Sequence, residues 1–146
     1  MRVNKPPRID KWLPVVTAMT RMNAELRAQP ALGLLHAEMW TSRTSIMVQY
    51  WRSMDQLLAY AKNKNAQHLP AWRAFNKAVG NDGSVGIWHE TYAASPGTYE
   101  TFYGNMPRFG LGSAGHLEPA VAARQWRPPD LRRRRVARLE VRGCPR

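Results

Sequence analysis

Between Asp10 and Ala28 the apolar residues Trp12, Leu13, Val15, Val16, Met19, Met22 and Leu26 recur three and four positions apart. That spacing puts one stripe on a helix of about residues 12–28, with Pro14 in its first turn, where a missing N–H costs least, and with Pro30 and Gly33 ending it. The period then shortens. Leu34 to Trp40 and Ser45 to Trp51 read as strands joined through Thr41-Ser42-Arg43-Thr44. In the second strand Ile46, Val48 and Tyr50 point one way and Met47, Gln49 and Trp51 the other, so both faces are largely apolar and both should be covered.

Ser53-Met54-Asp55-Gln56 has the pattern of a capping box and opens a helix near 53–62. Pro70 starts another through Trp72, Phe75 and Val79, with Gly80 as its C-cap. After the turn residues Asn81-Asp82-Gly83, Val85 to Tyr92 reads as a third strand. The segment Ala94-Ser95-Pro96-Gly97 turns it into a fourth, Thr98 to Asn105. Met1 to Asn4 forms the end of a further strand. The order (β)αββαββ is that of a ferredoxin-like α+β layer fold with one added strand and its helices on one sheet face. An apolar second face on such a small sheet calls for a partner, which favours a homodimer.

The 146 residues suit one domain, expected over 1–112. The net charge of +12 would point to nucleic acid if it were spread over the fold. Half of that excess, six charges, falls in residues 117–146, which include Arg132-Arg133-Arg134-Arg135. Residues 113–146 are therefore expected to form a poorly ordered basic tail, able to bind nucleic acid only non-specifically. The single cysteine, Cys144, rules out an internal disulfide framework and a cysteine-based zinc site, and fits a cytoplasmic location. No apolar run is long enough for a membrane span, and four scattered histidines make no case for a metal site.

The segments Tyr50-Trp51-Arg52-Ser53, His68-Leu69-Pro70-Ala71-Trp72, Gly86 to Tyr92, and Tyr99-Glu100 through Asn105-Met106-Pro107 resemble a family of small bacterial and fungal monooxygenase-like proteins. That family is named for its similarity to the fumagillin-pathway polyketide monooxygenase, and is more distantly similar to the dimeric α+β barrel superfamily. The resemblance covers about residues 1–112. It implies a ferredoxin-like dimer and an enclosed pocket. It also implies oxidation of a small aromatic or polyketide-like substrate without metal or flavin, or alternatively haem binding for haem breakdown or aldoxime dehydration. Relatives carry a full apolar strand ahead of the Met1–Asn4 stretch, so the first strand is expected to be cut short.

Oxygenation without a cofactor needs a substrate carbanion that itself reduces oxygen, and the protein must then supply a base, hydrogen-bond donors and a dry aromatic pocket. His89, expected in mid-strand between Trp88 and Glu90, is the candidate base, an axial haem ligand under the alternative, or simply a core histidine. Asn105 is the candidate donor to a substrate oxygen, or it caps the strand end. Tyr50, Trp51, Trp72, Trp88 and Tyr103 would enclose the ring, with Arg52 as a second donor. His68 lines the pocket mouth, acts as the haem ligand instead, or caps its helix. Glu90 is either a pocket carboxylate or the partner of Arg52. A non-catalytic ligand-binding dimer is the remaining reading.

Overall fold

The computed structural model describes residues 1–95 and 97–117; the basic segment 118–146 lies outside them. The elements are β1 (Arg2–Val3), α1 (Ile9–Ala28), a 3-10 turn (Pro30–Leu32), β2 (Leu34–Trp40), β3 (Ile46–Trp51), α2 (Met54–Lys62), α3 (His68–Ala78), β4 (Val85–Gly86) and α4 (Leu111–Ala114). Among the described residues the class is α+β, with four helices and two small antiparallel sheets, β2–β3 and β1–β4. No helix among the described residues is long and apolar enough to cross a membrane.

Helix α1 begins three residues before its expected start. Asp10 in its first turn is paired with Arg8 at 2.9 Å, and the Trp12 indole donates to the Pro6 carbonyl. Pro14 therefore lies in the second turn, where its ring leaves the Asp10 carbonyl without an intrahelical donor. Helix α2 is capped as expected, the Ser53 hydroxyl accepting from the Gln56 N–H at 3.2 Å. The reciprocal half of the box is replaced, since the Gln56 amide donates to the Ala31 carbonyl instead. Gly80 takes the left-handed conformation, φ +50°, just past α3.

In the hairpin Leu34 pairs with Trp51, and His36 with Tyr50, so Leu35 is an extra residue in the ladder. That bulge sets the two faces. Leu34, Ala37 and Met39 share one face with Met47, Gln49 and Trp51; His36, Glu38 and Trp40 share the other with Ile46, Val48 and Tyr50. Helices cover the first face, where Leu26, Leu34, Ala37, Tyr60 and Ala66 form the core against Leu32 and Trp51.

Strand β1 links the two sheets. It pairs with β4, and Arg2 bridges antiparallel to Thr44 just ahead of β3, so the lateral order is β4, β1, β3, β2. The strand expected over 85–92 is reduced to Val85–Gly86, and residues 98–105 form no strand. Both losses have one cause: β4 is paired only opposite Arg2 and Val3, and a segment without a ladder partner leaves its N–H and C=O groups to water whatever its β propensity. Tyr92 and Phe102 consequently stand 80% and 79% exposed.

Candidate functional site

The outer face of the β2–β3 hairpin gathers the chemistry that the fold brings together. His36 and Glu38 lie two residues apart on β2 and so point the same way, which sets His36 Nε2 2.6 Å from Glu38 Oε1 with both side chains about one quarter exposed. The Tyr50 ring, opposite His36 in the ladder, lies 6.4 Å away centroid to centroid. A carboxylate at that distance holds the imidazole in one orientation. With Glu38 ionised, Nε2 carries the proton and Nδ1 is left as an acceptor.

The segment containing Phe109 and Gly110 lies across this face. Phe109 meets Trp40 edge to face at 5.8 Å, and Gly110 packs so tightly on Tyr50 that a Cβ there would sit 3.1 Å from the phenol oxygen. Two side chains hold the segment in shape. The Tyr103 hydroxyl donates to the Phe109 carbonyl and accepts the Gly112 N–H, while the Arg108 guanidinium donates to the carbonyls of Gly112 and Gly115. Trp40, Ile46 and Val48 remain partly open on the same face, at 47%, 43% and 36% exposure.

The remaining expected site residues are dispersed. Trp51 lies on the helix-covered face, 5.8 Å from the Tyr60 ring, its indole donating to Gln49. His68 opens α3 with Nδ1 3.1 Å from the Ala61 carbonyl and its ring against Tyr60, so it ties α2 to α3. Trp72 stacks on Phe75 at 5.7 Å within α3. Arg52 is exposed, and among the described residues its backbone N–H is engaged by the Gly33 carbonyl while its side chain finds no partner. Asn105 is exposed with φ +53°, a left-handed turn that asparagine tolerates, and it caps no strand.

His89 is exposed on an unpaired stretch rather than in mid-strand, because the ladder that would have buried it ends at Gly86. Beside it, Glu90 accepts from the Trp88 indole at 3.2 Å and from the Tyr92 hydroxyl at 2.6 Å. Glu90 is thus engaged by its own segment and not by Arg52. Trp88 remains 63% exposed, so these aromatics do not close over a cavity. Among the described residues Tyr50 on the outer hairpin face, Trp51 on the helix-covered face, Trp72 on α3 and the exposed Trp88 are not brought together.

The His36–Glu38 pair is not among the residues expected at the site from sequence. Its signal was a histidine and a glutamate at alternate positions of a clear strand, which must share a face.

Residues 1–111 match the family described as Monooxygenase af470-like. The chain belongs to that family. It is also similar to Monooxygenase af470 of Aspergillus fumigatus, with 28% identity over 93 residues, 60% of this chain and 32% of that protein. The match thus spans about a third of that relative's length. No solved structure matches the chain significantly.

Proposed function

We propose that this member of the monooxygenase-like family oxidises a small aromatic or polyketide-like substrate at the outer face of the β2–β3 hairpin, without a cofactor. The observation that carries this reading is the His36–Glu38 pair at 2.6 Å beside Tyr50. A substrate with an activated methylene, flanked by carbonyls or aryl rings, loses a proton to His36 Nδ1, and the electron pair stays on carbon as an enolate. That carbanion reduces dioxygen directly. One oxygen atom becomes the new carbonyl and the other leaves as water, so the methylene supplies all four electrons and no outside reductant is needed.

Three side features support the reading. Glu38 fixes the orientation of the imidazole. The Tyr50 ring flanks His36 across the ladder. Trp40 and Phe109 offer flat apolar surface to a ring. The lateral order β4, β1, β3, β2 with helices on one side fits a ferredoxin-like sheet, and the open apolar residues Trp40, Ile46 and Val48 fit a homodimer that would close the face. The haem alternative is not the reading favoured here: His68 packs its ring on Tyr60 between α2 and α3, and His89 is exposed.

Oxygen consumption tests the proposal, measured with a panel of 1,3-diketones and anthrone-like compounds in the presence of a metal chelator. His36→Gln is expected to lower turnover about a hundredfold or more while His89→Gln leaves it within about twofold, as fits loss of a general base at one site only. Activity surviving in His36→Gln and lost in His89→Gln would return the role to His89.

A further inference from the structure

Residues 103–115 are bonded to one another and not to the sheet beneath them. The Tyr103 hydroxyl joins the Phe109 carbonyl to the Gly112 N–H, and the Arg108 guanidinium donates to the carbonyls of Gly112 and Gly115. Backbone bonds close the turns from Phe109 to Gly112 and from Leu111 to Gly115. Among the described residues no hydrogen bond and no ion pair crosses from this unit to the strands or to the other helices.

Its docking is apolar and steric instead. Phe109 meets Trp40, Gly110 fits against the Tyr50 hydroxyl, and α4 packs on β2. Trp40 is paired with Ile46 and Tyr50 with His36, so the two anchors stand at opposite ends of the hairpin, with Glu38 and Val48 between them. The fit at Gly110 needs glycine twice over, for its φ of +54° and because a Cβ would stand 3.1 Å from the phenol oxygen. Residues 97–102, which lead into the unit, are exposed and belong to no strand or helix, so a change of angle there disturbs no packed element.

An edge-to-face pair at 5.8 Å leaves no room for a third ring between its members, since a stacked ring needs about 3.5 Å on each side. A substrate ring therefore reaches the Trp40 face only when Phe109 withdraws. Because the bonds of the unit are internal, it lifts without breaking its own structure, and only the docking contacts are lost.

We infer that residues 103–115 are a lid, closed in this structure, that lifts as one body from the face carrying His36, Glu38 and Tyr50. The inference rests on the reading of that face as the reaction site and supplies its gate: Phe109 yields the Trp40 surface to the substrate while Gly110 uncovers the Tyr50 phenol.

Acetylation of the full chain by N-acetylimidazole, read tyrosine by tyrosine by mass spectrometry, tests the lid alongside amide hydrogen exchange. Trp40→Ala and Phe109→Ala remove the same docking contact from its two sides, and neither residue is the one that covers Tyr50. In both variants Tyr50 is expected to acetylate about tenfold faster than in the parent chain, while the exposed Tyr92 keeps its rate and the Gly112 to Gly115 amides keep their protection. Tyr103→Phe, which opens the internal lock, should instead speed exchange at those amides. Tyr50 reacting as fast as Tyr92 in the parent chain, or as slowly in both docking variants as in the parent, overturns the inference. So does a rise in Tyr50 reactivity that comes only with lost amide protection, because the segment would then unfold and not lift. Lid release without turnover of any substrate would leave the lid standing and remove the oxidation. Turnover in a chain whose docking variants leave Tyr50 equally slow would do the reverse.

Discussion

Tyr60 shows how one buried polar group constrains both packing and pH response. It is 4% exposed in the core, and its hydroxyl donates to Glu25 at 2.7 Å while the same carboxylate oxygen accepts the Gln67 N–H. Burial first, and then the Glu25 carboxylate, push its ionisation well above the ordinary tyrosine value of 10.0. Because the folded state holds this proton more tightly than the unfolded chain, its contribution is complete below about pH 10 and declines as pH rises beyond that. Urea midpoints at about pH 8 and about pH 11 should therefore diverge more in the parent chain than in Tyr60→Phe. At neutral pH that variant should lose about 1 kcal/mol, one hydrogen bond in net terms. Equal divergence in both proteins would show that Tyr60 is not the group responsible.

At the same scale His36 illustrates what the sequence offered and what was missed. His89 stood out because aromatic neighbours suggested a cavity, yet whether a strand residue is buried depends on a neighbouring strand that its own residues do not encode. His36 and Glu38 needed only the alternation of β2, which the sequence carries plainly.

Among the elements, those stabilised by local signals were legible. The capping serine of α2, the glycine after α3 and the 34–40 and 46–51 hairpin follow from side chains within a few residues of one another. The bulge at Leu35 did not, because it is defined by the register of two strands rather than by either alone. Strands 85–92 and 98–105 failed for the same reason on a larger scale: their propensity was sound, but β1 offers partners to only two of their residues.

Where an element turns, the constraint is steric and can be tested. Gly33 ends the 3-10 turn at φ +98°, and a Cβ there would lie 2.5 Å from Gln56 Oε1 and 2.8 Å from Gln56 Cβ, the latter not a mobile side-chain end. Gly33→Ala should cost more than about 1 kcal/mol by chemical denaturation, since strain and clash act together. A smaller loss would mean that α2 shifts freely against the turn. Leu26, 2% exposed in the core cluster, should cost about 2–5 kcal/mol as Leu26→Ala.

For the whole molecule, the outer hairpin face is the main unresolved demand on the fold. The helices take one face of the sheet, and residues 108–114 cover only part of the other, leaving Trp40, Ile46 and Val48 about two-fifths exposed. A second copy placed on that face would remove this surface from water and enclose His36, Glu38 and Tyr50, giving the dry surroundings that a carbanion and oxygen require. We therefore expect light scattering to give the mass of a dimer, and Val48→Lys to shift it to a monomer with its secondary structure intact. A parent chain that stays monomeric at micromolar concentration would argue against this closure.

Isotope labelling tests the central claim most directly. Under ¹⁸O₂, with chelator present and an activated-methylene substrate that the chain turns over, the parent protein should place one labelled oxygen in each product molecule, read as the mass shift of the new carbonyl. His36→Gln, folded by circular dichroism, should yield product only at the uncatalysed rate. Label absent from the product, or labelled product formed as fast by His36→Gln as by the parent chain, would contradict the assignment of monooxygenation to the outer face of this hairpin.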